Sequence, residues 1–198
     1  MLNSCVFWQN FMDRVKVHDK FFVKMMDHSQ IETIIDRVAE ELNKDYAGCT
    51  EAPVLLCTLN GALPFCGELM TKLHFDPVIS SIKVSSYSGM RSSGALSSIT
   101  GPTISVVGKE VIIVEDIVDT GITLKQMRKL LELMGAKSVK CCTLLFKPEK
   151  FHDEEEKNGR MLAPEYIGKS IENKFILGFG LDYDELGRCY RDIYVLDE

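Results

Sequence analysis

Between residues 111 and 146 the chain reads "VIIV", then an amphipathic stretch, then "SVKCCTLLF". No other feature constrains the fold as much. Four consecutive β-branched residues suit a strand buried on both faces. The apolar spacing from about Thr123 to Met134 predicts a helix, and Gly135 is placed to close it. Strand, helix and strand in quick succession imply parallel pairing through a right-handed crossover. The expected fold class is therefore α/β, a central and mostly parallel sheet flanked by helices.

The rest of the chain extends this pattern. "PVLLCTL" at 53–59 is a second doubly buried strand, and "NGALP" turns from it into a helix ending near Leu73. Upstream, Ser29 and Glu32 form a capping-box pattern ahead of an apolar stripe of Ile31, Ile34, Ile35, Val38 and Leu42. A strand is expected from Pro77 to Tyr87. The Gly/Ser-rich "SGMRSSGALSSITGPT" that follows is expected to be a mobile loop. Residues 148–174 read as polar and irregular. "FILGFGLDY" and "RDIYVL" look like short strands of a small appended lobe.

A length of 198 residues suits one domain better than two. A formal charge of −6 gives no general attraction for nucleic acid. No run approaches the roughly 18–20 apolar residues of a membrane span, and the amino terminus lacks a basic stretch followed by a long apolar segment. A cytoplasmic protein without nucleic-acid or membrane partners is expected. The seven cysteines have no zinc-ligand spacing, so buried, reduced thiols are expected. Cys141 and Cys142, adjacent on a strand, should face opposite sides. The four histidines are scattered.

The stretch "VIIVEDIVDTGIT" at 111–123 ends the central strand with three carboxylates, two threonines and a glycine. In an open α/β sheet this is where ligands bind. One reading is a solvated turn, with Asp119 or Thr120 capping the helix and Gly121 easing the backbone. Capping, however, needs one polar side chain rather than Glu115, Asp116, Asp119, Thr120 and Thr123 together. A small-residue turn opening a helix can instead cradle a phosphate with its N–H groups. The carboxylates would repel a phosphate, so they must face sugar hydroxyls or a divalent cation. A phosphorylated sugar satisfies both halves. Gly89 and Gly94 mimic Walker spacing, but Ala95 and Leu96 stand where Lys and Ser/Thr are required.

The acidic pair, two apolar residues and Asp-Thr-Gly-x-Thr after "VIIV" resemble the phosphoribosyl pyrophosphate motif of type I phosphoribosyltransferases. "LNGALPF", "SSYSG", "LLFK" and "KFILGFGLDYDELGR" extend the resemblance to the hypoxanthine-guanine branch of that family beyond about residue 20. The resemblance implies a type I phosphoribosyltransferase fold, a core at about 28–147 and a hood lobe from about 1–27 and 148–198. It implies purine salvage: phosphoribosyl pyrophosphate and hypoxanthine or guanine give IMP or GMP, with Mg2+ as cofactor. It also implies a homodimer or homotetramer.

By the same resemblance Asp119 would be the general acid/base. Glu115 and Asp116 would hold the ribose hydroxyls, and Asp119, Thr120, Gly121, Ile122 and Thr123 would wrap the 5-phosphate. Asn60, Gly61 and Arg188 would bind pyrophosphate, and Ser86 and Tyr87 would open the catalytic loop. Lys147, Lys174, Phe175 and Ile176 would recognise the purine. Asp182, with Glu115 and Asp116, would stand near the metal. Asn60 replaces a basic residue common in relatives, beside a peptide that is often cis in the family. Leu186 and Gly187 replace bulkier residues. A phosphoribosyl-binding regulator of RNA is the alternative, and the acidic balance disfavours it. A phosphoacceptor receiver domain, suggested by "VIIVED", fails on Thr120 and Gly121.

Overall fold

A computed structural model describes residues 13–86, 96–151 and 163–197, with the side chains of 85–86 and 96–99 outside that description. Ten strands and three helices are named here in chain order. They are β1 (Arg14–Val17), β2 (Lys20–Met26), α1 (His28–Asp45), β3 (Val54–Leu59), α2 (Leu63–Met70), β4 (Val78–Ser86) and β5 (Leu96–Thr100), followed by β6 (Glu110–Val118), α3 (Ile122–Leu133), β7 (Ser138–Phe146), β8 (Tyr166–Ser170), β9 (Ile176–Leu177) and β10 (Ile193–Leu196).

The main sheet has the order β5-β4-β3-β6-β7-β8, parallel throughout except for the antiparallel β4–β5 pair. Its central strands carry unbroken apolar runs, residues 54–57 of β3, 111–114 of β6 and 144–146 of β7, because each face meets a helical layer there. Leu55, Cys57, Ile112, Val114, Cys142 and Leu144 pack in one core with α1 and α2. Val54, Leu56, Val111, Ile113 and Cys141 pack in the other with Leu124, Met127 and Leu131 of α3. Cys141 and Cys142 thus face opposite layers, both fully buried.

Three elements differ from the sequence expectation. The capping box of α1 is formed by Asp27 and Gln30, not Ser29 and Glu32. Asp27 Oδ1 accepts from Gln30 N at 3.0 Å and from the Ser29 hydroxyl at 2.6 Å, so Ser29 supports the cap rather than being it. Within the expected loop, residues 96–100 form β5 against β4, while 87–95 lie outside the described residues. Within the stretch read as irregular, Tyr166–Ser170 is β8, paired with β7. Gly168 permits this close packing, since a Cβ there would lie 2.4 Å from Leu144 O.

The second sheet, β1-β2-β10-β9, is antiparallel and joins the two ends of the chain. Its core is Val15, Val17, Phe22, Leu177 and Tyr194. Among the described residues, no helix is long and apolar enough to cross a membrane.

Candidate active site

Because β3, β6 and β7 are parallel neighbours, their carboxyl ends open on one edge of the sheet. Residues 60–62, 119–121 and 147–151 meet there. The peptide between Leu59 and Asn60 is cis, on the amino side of Asn60.

The adjacent acids are divided by the strand. β6 continues to Val118, so Glu115 and Asp116 obey its period of two and project to opposite faces. Glu115, 6% exposed, accepts from the Thr58 hydroxyl on β3 and reaches the cleft lined by Asp119, Thr120, Gly121 and Thr123. Burial raises its carboxyl well above the ordinary range, and the Asp116 charge adds to this. Asp116 lies against Gly61, where a Cβ would stand 2.0 Å from Asp116 Oδ2. Only glycine lets that backbone approach so closely. Burial likewise pushes Asp116 up to about 6, with Asp182 raising it further and Arg188 pulling it down.

Asp119 stands beyond the strand end among cations. Its Oδ2 lies 3.5 Å from Lys147 Nζ and 3.4 Å from Lys150 Nζ. Its Oδ1 is shielded from solvent and, among the described residues, receives no hydrogen bond. Lys147 is 6% exposed, and its N–H donates to Val118 O at 3.0 Å, fixing it beside β6.

Gly121 is the N-cap of α3, at φ +81, and among the described residues no side chain caps this helix. The nearest approach is a weak 3.5 Å contact from Ile122 N to Thr120 Oγ1. The helix-cap reading of Asp119 and Thr120 is therefore not what the turn does. The amino end of α3 is left with unsatisfied N–H groups and a positive dipole end, which is the physical requirement for an anion site.

The loop between β9 and β10 completes the edge. Arg188 pairs with Asp182 Oδ1 at 2.8 Å and donates to Gly180 O at 2.9 Å, and Asp182 Oδ2 accepts from Glu185 N at 2.9 Å. Phe175 is 45% exposed and braced from behind by Phe22 and Tyr183, with ring centroids at 6.1 and 5.6 Å. Tyr183 is tied to the β1–β2 turn, its hydroxyl donating to Asp19 Oδ1 at 3.0 Å. Ile176 is buried in β9, its backbone held by Val195. Lys174 pairs with Glu172 at 2.9 Å. Ser86 ends β4, and Tyr87 lies outside the described residues.

Among the described residues, no three His, Cys, Asp or Glu side chains form a closed metal site. Glu115, Asp116 and Asp182 do not converge as a cage. This donor set still suits Mg2+, which keeps waters and takes one or two carboxylates together with substrate phosphate oxygens.

The sequence profile of the phosphoribosyl transferase domain matches residues 24–184. The chain belongs to the phosphoribosyltransferase family. It is 37% identical over 177 residues to a hypoxanthine-guanine phosphoribosyltransferase of Streptococcus thermophilus strain CNRZ 1066, covering 88% of this chain and 92% of that one. With the Lactococcus lactis hypoxanthine-guanine phosphoribosyltransferase it shares 41% over 160 residues, 78% of this chain and 81% of that one. The crystal structure of a Staphylococcus aureus hypoxanthine phosphoribosyltransferase aligns at a TM-score of 0.77 and 32% identity, covering 88% and 90% of the two chains.

The edge of this phosphoribosyltransferase also contains residues that sequence reading missed. Thr58 holds Glu115, Gly180 meets the Gly61 backbone, and Lys150 and Phe151 close over the 119–121 turn. The "KPEK" spacing of two lysines around a proline was the available signal for Lys150.

The raised Asp116 carboxyl predicts a pH dependence. Folding lifts this group from an ordinary 3.8 to about 6, so the folded state binds the extra proton between those values. Stability contributed by that proton is present below this window, falls as pH rises through it, and is level above. Asp116→Asn should therefore flatten the slope and stabilise the unliganded enzyme near pH 7 by up to about 2–3 kcal/mol. Urea unfolding at several pH values measures this, and a variant no more stable at pH 7 than at pH 4 relative to the parent would contradict it. Glu115 acts in the same direction and leaves part of the slope in place.

Proposed function

We propose that this phosphoribosyltransferase serves purine salvage by moving the 5-phosphoribosyl group from phosphoribosyl pyrophosphate to hypoxanthine or guanine, giving IMP or GMP and pyrophosphate. The observation that carries the reading is one juxtaposition. An uncapped helix amino end stands beside a buried lysine and a carboxylate, all at the carboxyl edge of the sheet.

In this reading the N–H groups from Thr120 to Thr123 and the hydroxyls of Thr120 and Thr123 take the 5-phosphate. Glu115 and Asp116, one on each face of β6, take the ribose hydroxyls from two sides. Asn60 and Gly61 offer backbone groups, and Arg188 a guanidinium, to the pyrophosphate. N9 of the purine attacks C1 of the ribose as the bond to pyrophosphate breaks and its electron pair leaves with that group. Asp119, whose side chain is 37% exposed, takes the proton from N7. Mg2+, held by Asp182 with the acidic pair nearby, would neutralise charge on the leaving pyrophosphate.

Lys147 would select the base. An ammonium donates and cannot accept, so it matches the exocyclic oxygen of a 6-oxopurine and leaves the amino group of adenine unmatched. Phe175, exposed on one face and braced on the other, would stack on the purine, with Lys174 and the Ile176 backbone at its rim. Ser86 and Tyr87 would begin the loop that closes over the reacting atoms. The four-stranded sheet would serve as the hood over a core at about 28–147. A cytoplasmic homodimer or homotetramer belongs to the same proposal.

The test is a parallel assay of hypoxanthine, guanine, xanthine and adenine with phosphoribosyl pyrophosphate and magnesium. Adenine should fall below hypoxanthine in kcat/KM by about tenfold or more, the cost of one unmatched buried donor. Equal use of adenine would remove Lys147 from base selection. No nucleotide from any base would overturn the proposal.

A further inference from the structure

We infer that Lys150 is a positioning residue for Asp119, anchoring Oδ2 and so fixing the orientation of the carboxylate while Lys147 turns to the base. The inference rests on the reading of Asp119 as the acid/base.

The segment 147–151 is held against the end of β6 and the turn that follows it, and is closed on itself by a turn of its own. Lys147 N–H donates to Val118 O at 3.0 Å, which suspends the segment from the end of β6. Lys150 N–H donates to Lys147 O at 3.2 Å, closing a four-residue turn whose second residue, Pro148, favours that backbone. The Phe151 ring then sits on Gly121, where a Cβ would stand 2.4 Å from Phe151 Cε2, and meets Phe146 edge-on at 5.3 Å. Such a seat leaves the turn little freedom to swing away.

The turn brings two ammonium groups to the same oxygen. Lys147 and Lys150 both approach Asp119 Oδ2, at 3.5 and 3.4 Å, and neither serves Oδ1. Their surroundings differ. Lys147 is enclosed, with 8% of its side chain exposed, whereas Lys150 lies at the rim with 40% exposed. When a purine draws on the protons of Lys147, Asp119 would lose one of its two anchors at the moment its orientation matters most. Lys150 supplies the anchor that no base contact removes.

The same geometry separates this role from a structural one. A half-exposed ion pair adds little to stability. A misdirected catalytic group, in contrast, can slow a reaction considerably without any change in fold. The rival role for a rim lysine is direct contact with a substrate phosphate, which would appear in affinity instead of rate.

Lys150→Met and Lys150→Arg, each made alone and in an Asp119→Asn background, distinguish these roles by single-turnover rate, titration of phosphoribosyl pyrophosphate and thermal midpoint. Lys150→Met should slow the single turnover by about tenfold, with substrate affinity within about threefold and the midpoint within about 2 °C. Lys150→Arg should recover most of the rate. In the Asp119→Asn background Lys150→Met should have less than about a twofold further effect, because coupled residues are not additive. An unchanged rate in Lys150→Met, a full loss persisting in the Asp119→Asn background, or a loss expressed mainly in affinity would each overturn the inference. Full activity of Asp119→Asn by itself would instead remove the acid/base reading beneath it.

Discussion

Asp119→Asn should slow the chemical step by about 10²–10⁴-fold while phosphoribosyl pyrophosphate binds within about threefold of its usual affinity. Asparagine keeps the shape of the side chain and removes the group that can accept a proton. The turn itself need not change, because its backbone is set by Gly121 at φ +81 and by the helix that follows. The 5-phosphate contacts proposed for Thr120 to Thr123 then survive. Single-turnover rates, compared with a titration of phosphoribosyl pyrophosphate, measure the separation. Equal losses in rate and affinity would show that Asp119 supports the phosphate turn and does not act on the base.

Gly180→Ala should be strongly damaging for so small a change. Gly180 has φ +98, and a Cβ there would stand 1.9 Å from Gly61 O and 3.0 Å from Pro64 Cδ. The obstacle is backbone, which cannot rotate aside as a side chain can. An L-residue in that conformation is strained before the clash is counted, so a loss of about 3 kcal/mol or more is expected. Affinity for phosphoribosyl pyrophosphate should fall with it, since Gly61 is the neighbour displaced. Gly67→Ala is the control. Gly67 lies on the outer face of α2 with nothing within 4 Å of a Cβ, and alanine there should stabilise by about 0.5–1 kcal/mol. Urea midpoints for the two variants check the contrast, and a Gly180→Ala protein as stable as its parent would mean the two sheets do not meet there.

The elements that could be read from the sequence are those whose environment is symmetrical. β3, β6 and β7 carry apolar runs at 54–57, 111–114 and 144–146 because a helical layer covers each face, and such runs are visible without knowing their neighbours. β1 and β2 were not assigned as strands, because the alternation in "RVKV" is short and gains meaning only from pairing with β10 at the other end of the chain. β8 was hidden by Gly168, a weak strand former that is required where Leu144 O comes close. β5 was hidden by its Gly/Ser-rich surroundings.

The candidate site divides in the same way. Asp119, Lys147 and the glycine turn lie within motifs contiguous in sequence. Lys150 and Phe151 act through a turn that folds back onto residues about 30 positions earlier, a relation that spacing does not express. The projection of Glu115 and Asp116 to opposite faces follows from strand periodicity once β6 is known to extend to Val118, but "VIIV" by itself marks an earlier end.

That alternation gives the reaction centre a foothold in each half of the protein's interior. Glu115 leans through Thr58 toward Met127, whose sulfur lies 3.9 Å from the Thr58 hydroxyl, and Asp116 leans the other way, onto the bend that introduces α2. With the two acids in their proposed ribose-holding roles, loosening either interior would pull one of them away from the sugar and leave the other in place. Damage far from the edge would therefore register as a lopsided grip on the ribose before it registered as unfolding.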